Sequence, residues 1–218
     1  PYNQLISNNY LNNRMKSFTF NLASESTDIR AGKIESKESE ETTHYSILDK
    51  EGNAVAVTTT LNGSYGSKVF VEDGGYFLNN EMDDFSIKPG FANMFGLIGS
   101  EVNSIKPEKR MLSSMTPTII LKDGKLYMIL GTPGGSTIIT SVLQTILNVH
   151  EFGMDIQSAI NPPRFHHQWL PEKIEFENGV FDELSMKKLQ DKGYDVKQEY
   201  KRVIGRVDAI LVSKSGII

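Results

Sequence analysis

An acidic, polar run of Lys33, Glu35, Ser36, Lys37, Glu38, Ser39, Glu40 and Glu41 stops at Thr42 and Thr43, where an alternating pattern begins. A threonine hydroxyl is a poor nucleophile while its proton stays on. Once the bond before Thr42 is cut, a free α-amine of pKa about 7.7–8.0 on the same residue can take that proton, so one residue supplies nucleophile and base. The chemistry this permits is acyl transfer through a threonine ester. On Glu41-Thr42-Thr43 alone, a β-branched strand start after a solvated loop is the simpler reading.

Other reactive residue types point less clearly. The pair His166-His167 suggests metal ligation, but adjacent imidazoles on an extended segment face opposite sides, and no cysteine or carboxylate spacing supports a site. No metal and no cofactor are expected, and residues 164–171 read as structural. His44 and His150 read as ordinary strand and helix residues, because an α-amine removes the need for another base.

The elements that must position Thr42 are legible in order. Apolar residues at spacings of three to five predict an amphipathic packing helix within residues 3–18, and residues 21–41 read as an extended linker able to present a scissile bond. From Thr42 the pattern is a hairpin: residues 44–48 alternate, residues 49–53 are turn formers, and residues 54–61 resume the strand with Thr42 at the tip. A strand over residues 76–78 ends in the polar cluster 79–84. Residues 89–109 hold scattered glycines and isolated aromatics with no regular element, as in a lid or binding loop. Residues 118–121 and 126–130 flank Lys122-Asp123-Gly124-Lys125, a second hairpin.

Behind Gly134-Gly135-Ser136, Ile138, Ile139, Val142, Leu143, Ile146, Leu147 and Val149 predict a buried helix with Ser136 as N-cap, its first N–H groups aimed beside the glycines. Shorter helices are expected over 156–160 and 182–192, and strands over 174–176 and 207–212. β-rich blocks interleaved with helices suit a layered α+β domain.

The 218 residues are enough for one sizeable core, and 39% hydrophobic with 9% aromatic composition is ordinary for a globular domain. A formal charge of −4 with scattered lysines offers no footprint for nucleic acid. No apolar run approaches the roughly 20 residues that span a bilayer. The absence of cysteine excludes disulfides and thiolate metal sites.

Five motifs occur in sequence: Thr42-Thr43-His44-Tyr45-Ser46, Asn79-Asn80-Glu81-Met82-Asp83-Asp84-Phe85-Ser86, Leu112-Ser113-Ser114-Met115, Gly131-Thr132-Pro133-Gly134-Gly135-Ser136 and Pro163-Arg164-Phe165-His166-His167-Gln168-Trp169-Leu170-Pro171. Together they resemble the small subunit of γ-glutamyltranspeptidase, a family of N-terminal-nucleophile hydrolases. The resemblance covers residues 42–218, and residues 1–41 look like the tail of the family's large subunit with the linker to the processing site. It implies a four-layer αββα sandwich and autocatalytic cleavage at Glu41-Thr42. It also implies γ-glutamyl transfer from glutathione or a related donor to an amino acid, a peptide or water. Partnership with the large subunit of the same precursor and a periplasmic or secreted location follow from it too.

The resemblance also assigns roles to individual residues. Thr60 orients the nucleophile, and Gly134 and Gly135 form the oxyanion hole, where glycine allows close backbone approach. Glu81 and Asp84, with Asn62, hold the donor's α-ammonium, a pairing suited to desolvated charge. Ser113 and Ser114 hold its α-carboxylate beside a large-subunit arginine outside this chain. Phe95 stands in the lid where several bacterial members have a tyrosine that latches onto the asparagine matching Asn62, and Met111 replaces a common proline. The family also continues beyond the last expected strand, so the C-terminal end is expected to be cut short.

Two other readings remain. One is a related acylase acting on β-lactam side chains. The other is an unprocessed or inactive homologue serving as a binding or structural module.

Overall fold

The computed structural model describes residues 6–25, 29, 42–93, 96–113, 115–170, 172–196, 203–213 and 216–217. Four helices and ten strands follow in chain order among them: α1 (Asn8–Met15), β1 (Thr42–Leu48), β2 (Ala54–Thr60), β3 (Phe70–Val71), β4 (Tyr76–Phe77), β5 (Thr118–Lys122), β6 (Lys125–Gly131), α2 (Ile138–His150), α3 (Ile156–Ile160), β7 (Phe165–His166), β8 (Glu175–Phe176), α4 (Glu183–Asp191), β9 (Asp208–Ser213) and β10 (Gly216–Ile217).

The first hairpin forms as its alternation predicts, antiparallel, with Thr42 opposite Thr60 and Leu48 opposite Ala54. Its turn is closed by Asp49, whose carboxylate accepts from the Asn53 backbone N–H at 2.8 Å and from Asn53 Nδ2 at 2.7 Å. The two-residue period places Thr42, His44 and Ser46 on one face together with Thr58 and Thr60. Tyr45, Ile47 and Val55 occupy the other face and are exposed.

The inward face packs on a four-stranded sheet of order β10-β9-β6-β5. Met128, Ile129 and Leu130 of β6 are fully buried. Met128 and Leu130 join Ile138, Val142 and Val149 of α2, Ile156 and Ala159 of α3, and Leu211 of β9 in one cluster. Ile129 points the opposite way, toward the hairpin side. At about 1.5–3 kcal/mol for each fully buried aliphatic side chain, this central strand outweighs any cap or turn in fixing the layers. The described residues thus supply three layers, helix on sheet on hairpin, of an α+β sandwich.

Several expectations are corrected. The helix expected within residues 3–18 is confined to Asn8–Met15; none of its residues is buried, and Leu11 and Met15 stay 46% and 56% exposed, so it is not a packing helix among the described residues. Ser136 does not cap α2. It lies inside a 3-10 turn, Gly135–Thr137, that runs directly into the helix, leaving no extended cap position. The loop 89–109 is not wholly irregular, because it contains the 3-10 turn Glu101–Asn103 and an Ala92–Ile98 bridge. By contrast, α4 begins as expected, with Asp182 Oδ1 accepting from Ser185 N at 2.7 Å.

Candidate active site

Thr42 opens β1, and its Oγ1 is buried with no hydrogen-bond partner among the described residues. A buried hydroxyl left unpaired costs about 1–3 kcal/mol, so its persistence calls for a use. The register sets Thr60 directly across the ladder on the same face. Thr60 Oγ1 accepts from the Asn62 backbone N–H at 2.9 Å, which anchors its oxygen while leaving its proton available to donate. The two threonine hydroxyls are neighbours but are not bonded to each other in this state.

His44, two residues on, is buried beneath the end of β6. Its Nδ1 lies 2.7 Å from Thr58 Oγ1 and its Nε2 3.2 Å from Ser46 Oγ, so both ring nitrogens are engaged. Burial lowers its pKa against the pull of Asp208, which suits a neutral packing residue. A Cβ on Gly131 would lie 2.3 Å from this ring, so glycine is required where β6 crosses β1. That close crossing fixes the end of β6 against His44, two residues from Thr42.

The residues after β6 are Thr132-Pro133-Gly134-Gly135. Gly134 takes φ 139° and Gly135 φ 57°, both left-handed, before the 3-10 turn and α2. Thr132 Oγ1 donates to Pro133 O and accepts from Arg206 N, each at 2.6 Å, and Thr137 Oγ1 donates to Gly134 O at 2.7 Å. Gly205 backs onto the turn, its Cα 3.2 Å from where a Gly134 Cβ would sit. The result is a rigid strand-to-helix corner with backbone N–H groups at its tip, the kind of preorganised donor set that stabilises an oxyanion.

Residues 61–85 form a second wall. Asn62 is fully buried at φ 72°, and its Nδ2 donates to Asn80 O at 3.1 Å while Gly63 N donates to Asn80 Oδ1 at 2.9 Å. This clasp holds the start of the 3-10 turn Glu81–Asp84. Glu81 Oε1 is buried without a hydrogen-bond partner among the described residues. Burial, reinforced by the Asp84 charge, pushes its carboxyl up to about 7. A partly buried carboxyl pair of this kind would suit a cationic group.

Ser113 is exposed, with its Oγ 3.4 Å from both Met115 N and Met115 O. It lines a cavity of about 360 Å³ with Gly135, Thr140, His166 and Gln168, and a second cavity of about 240 Å³ is lined by Asp84, Ser86 and Asn103. Leu97 lines both. His166 is buried with Nδ1 2.8 Å from Thr140 Oγ1 and Nε2 2.9 Å from Gln168 Oε1, whereas His167 stacks edge-on to Tyr194. The adjacent imidazoles therefore diverge, as extended backbone dictates. Glu41, Phe95 and Ser114 lie outside the described residues. Sequence reasoning gave Thr132 no role beyond its place in a motif and missed Gly205 and Asn103, single small or polar residues in turns that carry no periodic signal.

With this geometry in hand, the likenesses to known proteins are informative. The gamma-glutamyltranspeptidase family profile matches residues 1–218. The glutathione hydrolase proenzyme of Escherichia coli (strain K12) is 45% identical over 216 residues, 99% of this chain, and the chain spans 37% of that relative's length. Among solved structures, a point mutant of the Helicobacter pylori gamma-glutamyltranspeptidase superposes with a TM-score of 0.76 at 48% identity, covering 81% of this chain and 95% of that one. A cephalosporin acylase from Bacillus halodurans has the same TM-score, 0.76, at 22% identity, covering 100% of this chain and 37% of its own, a likeness of fold alone.

Proposed function

Because this chain belongs to the gamma-glutamyltranspeptidase family, we propose that the protein carrying it is a self-activating γ-glutamyl transferase and glutathione hydrolase whose nucleophile is Thr42. The observation that carries this reading is the Thr42 Oγ1 at the head of β1, opposite Thr60, buried with no hydrogen-bond partner among the described residues.

Activation is an intramolecular acyl shift. Thr42 Oγ1 attacks the Glu41 carbonyl, the Glu41–Thr42 amide C–N bond breaks and an ester forms. Water then hydrolyses the ester, leaving a Glu41 carboxylate and a free Thr42 α-amine. In turnover that amine takes the hydroxyl proton as Oγ1 adds to the donor's γ-carbonyl. The N–H groups of the Gly134-Gly135 corner receive the developing oxyanion, and the proton passes to the departing amine, cysteinylglycine in the case of glutathione. Water, an amino acid or a peptide amine then attacks the γ-glutamyl ester and restores Thr42.

Glu81 and Asp84, with Asn62, hold the donor ammonium, and Ser113 and Ser114 hold its carboxylate. The large subunit of the same precursor completes the pocket and covers the exposed Tyr45, Ile47 and Val55 face as the fourth layer. A periplasmic or secreted location belongs to the same reading.

The carboxyl of Glu81 near 7 has a pH consequence. Below that value the free enzyme holds Glu81 neutral, and one of the two charges facing the donor ammonium is gone. The kcat/KM for a γ-glutamyl donor is expected to fall as pH drops from about 8 to about 6, because the Thr42 α-amine and Glu81 both gain a proton there, and Glu81→Gln should leave a shallower limb set by the amine alone. A pH profile unchanged by the substitution contradicts the assignment.

Fold likeness to an acylase leaves substrate class to experiment. The mature protein should release 4-nitroaniline from γ-glutamyl-4-nitroanilide and leave the glutaryl side chain of a cephalosporin intact. Turnover of the cephalosporin without the anilide would favour the acylase reading, and turnover of neither a binding module.

A further inference from the structure

The two ends of the donor clamp lie on different segments, and one side chain joins them. Glu81 and Asp84 occupy one 3-10 turn, whereas Ser113 comes after the whole of the loop 86–112. Asn103, the last residue of the turn Glu101–Asn103, reaches both. Its Nδ2 donates to the Asp84 carbonyl at 2.6 Å, and its Oδ1 accepts from Leu112 N, adjacent to Ser113, at 3.1 Å. Its own carbonyl accepts from Ser86 N at 2.9 Å.

Neighbouring bonds make this node stiff. Ser86 and Ser104 form a parallel bridge, and Lys109 Nζ donates to the carbonyls of Val102 and Ser104. A Cβ on Gly99 would fall 2.2 Å from Ser86 Oγ, so the returning loop lies tight against the same point. The outer part of the loop is closed by Gly90 N donating to Gly99 O and Asn93 N to Leu97 O.

A primary amide is the group this position demands, because it offers a donor and an acceptor at fixed separation. Aspartate keeps the acceptor and loses the donor; alanine loses both. Resting on the reading of Glu81, Asp84 and Ser113 as the donor clamp, we propose that Asn103 is a positioning residue that sets the spacing between the ammonium and carboxylate ends. It thereby sets selectivity for donors carrying both groups. Asn103 acts through the backbone of Asp84 and Leu112.

The test uses the full-length precursor carrying this sequence, after processing, with Asn103→Ala and Asn103→Asp. Three anilides are compared: γ-glutamyl, glutaryl (no α-amine) and 4-aminobutanoyl (no α-carboxylate). A donor held at one end does not sense the spacing. Asn103→Ala should therefore raise KM for the γ-glutamyl anilide about tenfold with kcat little changed, while kcat/KM for the two one-ended donors stays within about twofold. Asn103→Asp should fall between, and it carries the same comparison should the alanine variant not fold. An equal loss on all three donors, or an unchanged γ-glutamyl KM, overturns the proposal. A wild-type enzyme with no preference for the γ-glutamyl donor would sink the clamp reading itself, a distinguishable failure.

Discussion

Thr42→Ala is expected to abolish both self-cleavage and γ-glutamyl turnover, the latter by about five or more orders of magnitude, since it removes the covalent nucleophile. The variant should nonetheless fold. Thr42 Oγ1 is buried without a partner among the described residues, so deleting it removes an unsatisfied polar atom rather than a stabilising bond. A thermal melt no lower than that of uncut wild-type precursor, together with an intact chain and no release of anilide, is the expected set of results. Thr42→Ser restores a hydroxyl at the same register position and should recover part of both activities. Wild-type turnover in Thr42→Ala would transfer the nucleophile's role elsewhere.

Gly134→Ala is expected to lower kcat by about 10²–10³ while changing KM little, the signature of a donor that acts mainly in the transition state. The cause is steric. At φ 139° an added Cβ would lie 2.6 Å from Thr137 Oγ1 and 3.2 Å from Gly205 Cα. Gly205 is backbone packed against backbone and cannot swing aside, so the corner must shift and its N–H groups lose their aim. Holding alanine in this conformation also costs about 1–3 kcal/mol of stability. Assays well below the melting temperature separate the two effects, and an unchanged kcat would remove the corner from the oxyanion site.

The hairpin that presents Thr42 was legible because alternation and turn formers agree over residues 42–60. The role of Thr60 came from the family resemblance, and its place directly opposite Thr42 is a register that the folded hairpin supplies. Helix α2 was legible because Ile138, Val142 and Val149 repeat with helical period and bury on β6. The sandwich itself required the family resemblance, since no local pattern states which face of a hairpin meets which sheet. Strands β4 and β8 were legible within residues 76–78 and 174–176, whereas their partners β3 and β7, two residues each, are too short for periodicity to register. Ser136 misled because a cap and a 3-10 turn have the same composition, and only the backbone angles of Gly134 and Gly135 separate them. Asn103 was invisible for a different reason. An asparagine in a glycine-rich loop reads as ordinary turn chemistry, and its importance comes from joining residues 84 and 112, which only the folded chain brings together.

The central claim is that Thr42 becomes an N-terminus and acts there. Intact mass and N-terminal sequencing of the purified full-length precursor, incubated beside Thr42→Ala, test it most directly. The expected result is a new terminus reading Thr-Thr-His-Tyr in the wild type, with a single uncut chain in the variant. A wild-type chain that stays uncut while folded, or a new terminus at any other residue, would contradict it.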